Sequence, residues 1–429
     1  MADCTSNPRH SALSAKLDAL INEFIAENPL SRAASERANQ VLPAGNTRSV
    51  LYSEPFPLTL KSGDGPMVTS LDGREYVDFV SDFSAGLYGH SHPVIAQAVS
   101  EALATGFSLG GVIQKEAQLA EILCSRFPSI ERVRFCNSGT EANTFAMATA
   151  LAYTGRKKVL VFENGYHGGT ISFKTADSVN PMNLPHDFVL AKYNDIDATR
   201  PLIDDSIGAI LIEPMQAAGG MNPSSREFLQ FLRDSATAVG ALLIFDEVVT
   251  SRFHFHGLQG AWGVRPDLTT LGKYIGGGFP FGAFGGRANV MDQFNPSASG
   301  SPGLSHSGTF NNNVFTMTAA VAAAQLVTEK TLGRINALGN RLRTQGNEIV
   351  QRAGFDKLSF TGYGSAVGVH YASDASAVLR DAFFFYLLRE GIIIGRRGFV
   401  SLNLQHTDAL VDQALRVIQG FVNEYATVC

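Results

Sequence analysis

Two hydrophobic periods alternate through the middle of the chain. Short apolar runs at 132–137 (RVRFCN), 157–164 (KKVLVFEN), 207–214 (IGAILIEP), 241–247 (ALLIFDE), 268–272 (LTTLG) and 281–286 (FGAFGG) read as strands. Between them, 138–155 (SGTEANTFAMATALAYTG) and 226–240 (REFLQFLRDSATAVG) read as helices, the first opened at Ser138. Continuous apolar strands alternating with helices predict a parallel sheet covered on both faces. Ligands of such sheets sit beyond the carboxyl ends of the strands. Asn137, Glu163, Glu213, Asp246 and Lys273 all fall at such ends.

The flanks follow other patterns. Leu17, Leu20, Ile21, Phe24 and Ile25 recur at helical spacing up to Asn28-Pro29, and 41–57 reads as a proline-rich loop. The stretch 65–80 alternates around Asp72-Gly73, a hairpin signal. Helices are predicted at 92–106 and 115–127. From about Ala319 come long helices, then short strand-like pieces at 357–362, 365–371, 391–395 and 399–404, and a last helix at 408–426. That end reads as an α+β unit with its own small sheet, which the N-terminal hairpin could join. We therefore expect segments 1–75, 76–325 and 326–429, the first and last belonging to one smaller domain.

Composition narrows the class of protein. The 429 residues are 45% hydrophobic and 17% charged, with a net charge of −5. No basic cluster points to nucleic acid or an anionic membrane. The four cysteines, Cys4, Cys124, Cys136 and Cys429, show no metal or disulfide framework and read as free thiols. The first residues lack the apolar core of a signal peptide and no later run approaches a membrane span, so the expectation is a cytoplasmic protein.

Chemistry concentrates at 241–278. Lys273 is the only charged residue from Leu268 to Gly286. Lysine is rarely buried unless paired or used, and a desolvated lysine suits Schiff-base chemistry. A carbonyl cofactor on Lys273, with Asp246 facing its cationic end, accounts for both residues. Read alone, Asp246 is better explained as a structural ion pair or an N-cap. Ser138-Gly139-Thr140-Glu141 reads as a capping box that doubles as an anion cup. Tyr166, beside His167 and Gly168, could stack on a planar ring or pack on the sheet edge. Glu213 ends a strand, where an ion pair is its competing reading. His254 and His256 lack the supporting ligands of a metal site, and none is expected. Thr309 lies in a Gly/Ser/Asn loop with donors suited to phosphate. Arg48 and the Arg396-Arg397 pair are candidates for binding a carboxylate.

Taken together and in this order, the motifs at 137–143 (NSGTEAN), 165–168 (GYHG), 213–214 (EP), 244–248 (IFDEV), 271–273 (LGK) and 307–310 (SGTF) resemble the class III aminotransferases dependent on pyridoxal 5'-phosphate. The resemblance spans essentially the whole chain. It implies fold type I, an α/β fold whose large domain has a mostly parallel seven-stranded sheet sandwiched by helices, with a smaller α+β domain. It implies Lys273 as the cofactor lysine, Asp246 on the ring nitrogen and Tyr166 on the ring. Ser138, Gly139 and Thr140 become the phosphate cup, with His167, Glu213 and Val248 also lining the cofactor. Thr309 would reach the phosphate from the other subunit of a homodimer. Two branches resemble the chain, the β-amino acid (β-phenylalanine-type) aminotransferases and the glutamate-1-semialdehyde aminomutases. The stretches 45–60, 85–91, 269–278, 281–287, 307–313 and 396–402 look closer to the first. That branch implies Arg48 and Arg397 at the substrate carboxylate, with Phe83 in the substrate pocket, where an aromatic hydroxyl is expected instead. The implied reaction moves an amino group from a β- or ω-amino acid to a 2-oxo acid such as 2-oxoglutarate or pyruvate. The alternative is an aminomutase-type isomerisation.

Overall fold

Alternate residues of the run at 242–246 face two different cores. Leu242 and Ile244 pack with Ala146, Met147 and Ala150 of the helix Gly139–Thr154. Leu243 and Phe245 pack with Phe228, Leu229 and Leu232 of the helix Arg226–Val239. A strand apolar on both faces must be covered on both, and each large side chain so buried contributes about 1.5–3 kcal/mol. The computed structural model describes residues 8–175, 180–372 and 376–426. It divides into two units, Pro93–Arg334 and Met1–His92 with Ile335–Cys429.

The first of these holds a seven-stranded sheet: β1 (Arg132–Cys136), β2 (Lys158–Phe162), β3 (Asp187–Ala191), β4 (Ile207–Ile212), β5 (Leu242–Asp246), β6 (Leu268–Gly272) and β7 (Gly282–Gly286). Their order is β1-β7-β6-β5-β4-β2-β3. All adjacent pairs are parallel except those that β7 makes with β6 and β1. Six of these strands follow the apolar runs of the sequence. β3 is the one that the pattern did not announce: it is an edge strand, and only Ala191 of its five residues is buried.

Strand alternation decides where the polar strand-end residues point. Residues 209 and 211, 242 and 244, and 268 face the Gly139–Thr154 helix. Continuing the same parity carries Glu213, Asp246 and Thr270 to that face. Asp246 and Thr270 lie opposite each other in the β5–β6 pair, three residues before Lys273. The site described below is a consequence of that register.

In the other unit the hairpin Met67–Ser70/Glu75–Asp78 forms around Gly73, which takes the positive φ of 87° that its turn requires. It joins a four-stranded sheet in which Ile392–Ile393 runs parallel to Glu75–Asp78. A second sheet pairs Leu358–Tyr363, Ala366–Tyr371 and Phe399–Ser401. Two helices absent from the sequence reading appear here, Pro29–Ala38 and Ser376–Arg389. The second carries Phe383 to Leu388, all buried, so it has no polar stripe to betray its period. Ser81, Asp82, Phe83 and Ser84 are four consecutive non-glycine residues with positive φ, 45°, 44°, 52° and 76°.

Among the described residues no helix is long and apolar enough to cross a membrane. Cys124 and Cys136 are free, and Cys4 and Cys429 lie outside the described residues.

Candidate active site

Asp246 is 4% exposed, and its buried carboxylate is held by three N–H donors. Oδ2 accepts from Asn143 Nδ2 at 2.8 Å and meets His167 Nδ1 at 2.8 Å. Because a carboxylate only accepts, that imidazole nitrogen carries the proton. Oδ1 accepts from the Val248 amide at 3.0 Å. A carboxylate offers about four acceptor positions, so Oδ1 retains one for a further donor. Asn143 is the hub beneath: it also donates to the His167 carbonyl at 3.0 Å, and its Oδ1 accepts from Thr270 Oγ1 at 2.7 Å.

Glu213 is buried beside this group. Its Oε1 accepts from the Tyr166 amide at 2.9 Å and its Oε2 from the Ala217 amide at 3.1 Å. Burial pushes its carboxyl up to about 7; Asp246 adds to the rise, while His167 and the two amides oppose it. The backbone of Tyr166 is thereby pinned, while its side chain, 48% exposed for the residue, remains available for stacking.

Ser138 caps the Gly139–Thr154 helix, its Oγ accepting from the Glu141 amide at 3.1 Å. Glu141 reaches back to the Asn137 amide at 2.9 Å, one residue beyond the expected capping box. As the first helical residues, Gly139 and Thr140 have amides without an intrahelical acceptor, the feature that suits a helix start to an anion. Gly168, at φ 131°, packs so closely that a Cβ would sit 2.3 Å from Thr140 Oγ1. Val248 touches both Gly139 and Gly272: a Cβ on either would lie 3.0 and 3.2 Å from Val248 Cγ1. Loop, helix start and the β6 terminus therefore converge.

Lys273 follows Gly272 directly. Its φ of 53° is left-handed, a conformation that costs a non-glycine residue about 1–2 kcal/mol. The turn Lys273–Gly276 is fixed by Tyr274, which is buried and accepts from Arg126 Nη2 at 2.8 Å.

Thr309 does not join this cluster; it is exposed on the turn at 309–310. Its loop is tethered to the cup through Asn137 Nδ2, which donates to Asn311 Oδ1 at 3.0 Å, and through Arg134 Nε, which donates to His306 Nδ1 at 3.0 Å. His256 Nδ1 faces the Arg126 carbonyl at 2.6 Å, and among the described residues no group of three or more potential ligands is placed to hold a metal.

The substrate candidates lie in the other unit. Arg48 pairs with Asp82 and lies over the Phe83 ring, 5.3 Å from its centroid. Phe83 in turn meets Phe399 at 5.2 Å. The adjacent arginines differ in their contacts. Arg396 grips Asp381 through two nitrogens, at 3.0 and 2.8 Å, and donates to Ser53 and the Glu54 carbonyl. Arg397 is exposed, and among the described residues no hydrogen bond or ion pair engages it.

Asn143 and Thr270 were missed in the sequence. The signal was there: Asn143 is the one amide at 143, 146, 147 and 150, a spacing that otherwise puts apolar residues against the sheet.

The model of the family Aminotransferase class-III matches residues 51–422. A β-phenylalanine transaminase of Variovorax paradoxus is 45% identical over 433 residues, covering 98% of each chain. The crystal structure of a β-phenylalanine aminotransferase from the same species superposes with a TM-score of 0.92 at 44% identity, over 97% of this chain and 98% of that one. A glutamate-1-semialdehyde 2,1-aminomutase of Lachnoclostridium phytofermentans is 34% identical over 90% of this chain and 97% of its own. With strands, loop and lysine arranged as above, the chain belongs to the class III aminotransferases, enzymes whose cofactor is pyridoxal 5'-phosphate.

Proposed function

We propose that the protein transfers the amino group of a β- or ω-amino acid to a 2-oxo acid such as 2-oxoglutarate or pyruvate, as a homodimer in the cytoplasm. The 45% identity to a relative named for β-phenylalanine supports a β-amino acid donor over an aminomutase substrate, whose relatives match at 34%. The observation that carries the reading is Asp246 at the end of β5, with one acceptor position open on Oδ1, beside the β6 terminus that presents Lys273.

The residues present fit the cofactor. Asp246 Oδ1 suits a protonated ring nitrogen, the Tyr166 ring a planar face, the Ser138–Thr140 helix start a phosphate, and the Lys273 amine an aldehyde. When bound, pyridoxal 5'-phosphate supplies a carbonyl for the amine and a cationic ring that accepts the electron pair left at the donor carbon. With the cofactor in place, Lys273 Nζ would take the proton from the donor carbon and hold it for return to the carbon that was the aldehyde. Asp246 keeps the ring nitrogen protonated, and His167 and Asn143 keep Asp246 in place. Glu213 fixes the Tyr166 backbone, and Val248 supplies an apolar wall beside the cup. Thr309, exposed here, is read as reaching the phosphate of the partner subunit. Arg48 and Arg397 bind the donor carboxylate and Phe83 shapes its pocket, while Arg396, spent on Asp381, is structural. On this reading segment 76–325 carries the cofactor residues, and 1–75 and 326–429 supply the two arginines.

Borohydride reduction of the holoenzyme followed by peptide mapping tests the mechanism: the cofactor label is expected on Lys273, and its absence there defeats the proposal. Single-turnover product analysis tests the reaction. A β-amino acid mixed with holoenzyme without acceptor should yield free oxo acid, whereas a rearranged isomer of the donor would favour the aminomutase.

A further inference from the structure

Arg48 already has an anion. Its Nη1 lies 2.6 Å from Asp82 Oδ1, and its guanidinium covers the Phe83 ring. A guanidinium has five N–H donors, and this contact spends one nitrogen on one carboxylate oxygen. An arginine recruited to recognise a carboxylate is thus parked on a carboxylate of its own chain.

The two partners differ in freedom. Asp82 is locked in the left-handed turn 81–84, whose backbone is fastened from several sides. Asp78 Oδ1 accepts from the amides of Val80 and Ser81, at 2.8 and 3.0 Å. Ser81 Oγ donates to the Ser401 carbonyl and accepts from Asn403 Nδ2. The Gly86 and Ala85 amides donate to the carbonyls of Ser81 and Asp82. Phe83 is wedged on Phe399. Left-handed backbone at four successive non-glycine residues persists only where its surroundings over-determine it, and such strain gathers at functional segments. Both side chains are exposed, 46% for Arg48 and 57% for Asp82, but Arg48 hangs on a long flexible stem while Asp82 springs from the fastened backbone. In any exchange the arginine moves and the aspartate stays.

We propose that Asp82 is a placeholder for the substrate carboxylate on Arg48, a competitor whose displacement lowers the net affinity of the site for a carboxylate. The inference rests on the reading of Arg48 given above. Its single-pronged contact is exposed and weak, whereas an incoming carboxylate can engage the guanidinium through two parallel hydrogen bonds, so a carboxylate displaces Asp82 and a neutral group does not. Until then the pair keeps the arginine neutralised and stacked on Phe83.

The test compares binding of 3-phenylpropanoate, which has the carboxylate but no amine, with its neutral amide, by calorimetry on the holoenzyme. Asp82→Asn keeps a side chain that tolerates left-handed backbone while removing the charge. The expected result is a carboxylate-to-amide preference raised about 1.5- to 5-fold, the range set by exposed ion pairs. In an Arg48→Gln background the same change should leave the preference unmoved. If Arg48→Gln weakens carboxylate binding but Asp82→Asn leaves the preference unchanged or lowers it, the placeholder is wrong and Arg48 keeps its role. An equal gain in both backgrounds would mean long-range repulsion, and also overturns it. If Arg48→Gln does not weaken the carboxylate, the assignment of Arg48 itself fails, and the placeholder with it.

Discussion

His167 and Asp246 meet through a single carboxylate oxygen, Nδ1 to Oδ2 at 2.8 Å, and Asn143 donates to the same oxygen. Asp246→Asn cannot satisfy this arrangement. The amide oxygen must take the Oδ2 place to face two donors, which turns the NH₂ toward the Val248 amide and any ring N–H. Loss of activity on the order of 100-fold or more is expected, as when one preorganised charge partner is removed. Cofactor affinity should fall with it. Titration of the apoenzyme with pyridoxal 5'-phosphate and kcat measurement check both; near-normal values would remove Asp246 from the cofactor.

Asn143 bonds Asp246, the His167 carbonyl and Thr270 Oγ1 together from the helix side. Asn143→Ala leaves a buried hydroxyl without its acceptor and two buried acceptors short of a donor. The expected cost is about 1–3 kcal/mol, read as a lowered urea midpoint of the apoenzyme. Thr270→Val in the Asn143→Ala background should then cost less than it does alone, because the orphaned hydroxyl is gone. Additive losses would mean that the two residues act separately.

The sheet and the positions of its polar ends were legible because period-2 burial leaves little choice: Leu242 and Ile244 face one helix, Leu243 and Phe245 the other, and Asp246 follows the first pair. Lys273 stood out as a lone charge. What the pattern could not carry was context. The Ser376–Arg389 helix is apolar all round where Phe383–Leu388 pass through the core, and β3 is half-exposed, so neither shows a clean period. Arg396 and Arg397 are alike in the sequence, and only the fold shows Asp381, fifteen residues before Arg396, gripped by that arginine alone of the two. The left-handed turn at 81–84 has no glycine to announce it.

That division between the arginines is testable. Burial alone would raise the Asp381 carboxyl, but hydrogen bonds from Arg396 and Arg380 outweigh it and hold the group below its ordinary value. Arg396→Gln should therefore cost stability, about 1–3 kcal/mol at neutral pH. The loss shrinks as pH falls and Asp381 is protonated in both states. Arg397→Gln should leave the urea midpoint nearly unchanged and instead raise KM for the amino acid. The reverse pattern would exchange the two roles.

Glu213 makes the last prediction, one of sign. Burial pushes its carboxyl up to about 7 from an ordinary 4.5, with Asp246 adding to the rise. Between those values the folded chain holds a proton that the unfolded chain has released, so stability falls as pH rises through the window. The contribution is complete below about 4.5 and gone above about 7. A displacement of this size, net of the opposing Tyr166 and Ala217 amides, corresponds to about 3 kcal/mol. Glu213→Gln keeps the shape and removes the titration. The stability of the wild-type apoenzyme relative to this variant, from urea unfolding, should decline between pH 5 and pH 8. A difference that stays flat or rises across that range would mean that Glu213 is ionised in the folded protein, its two backbone donors having outweighed its burial.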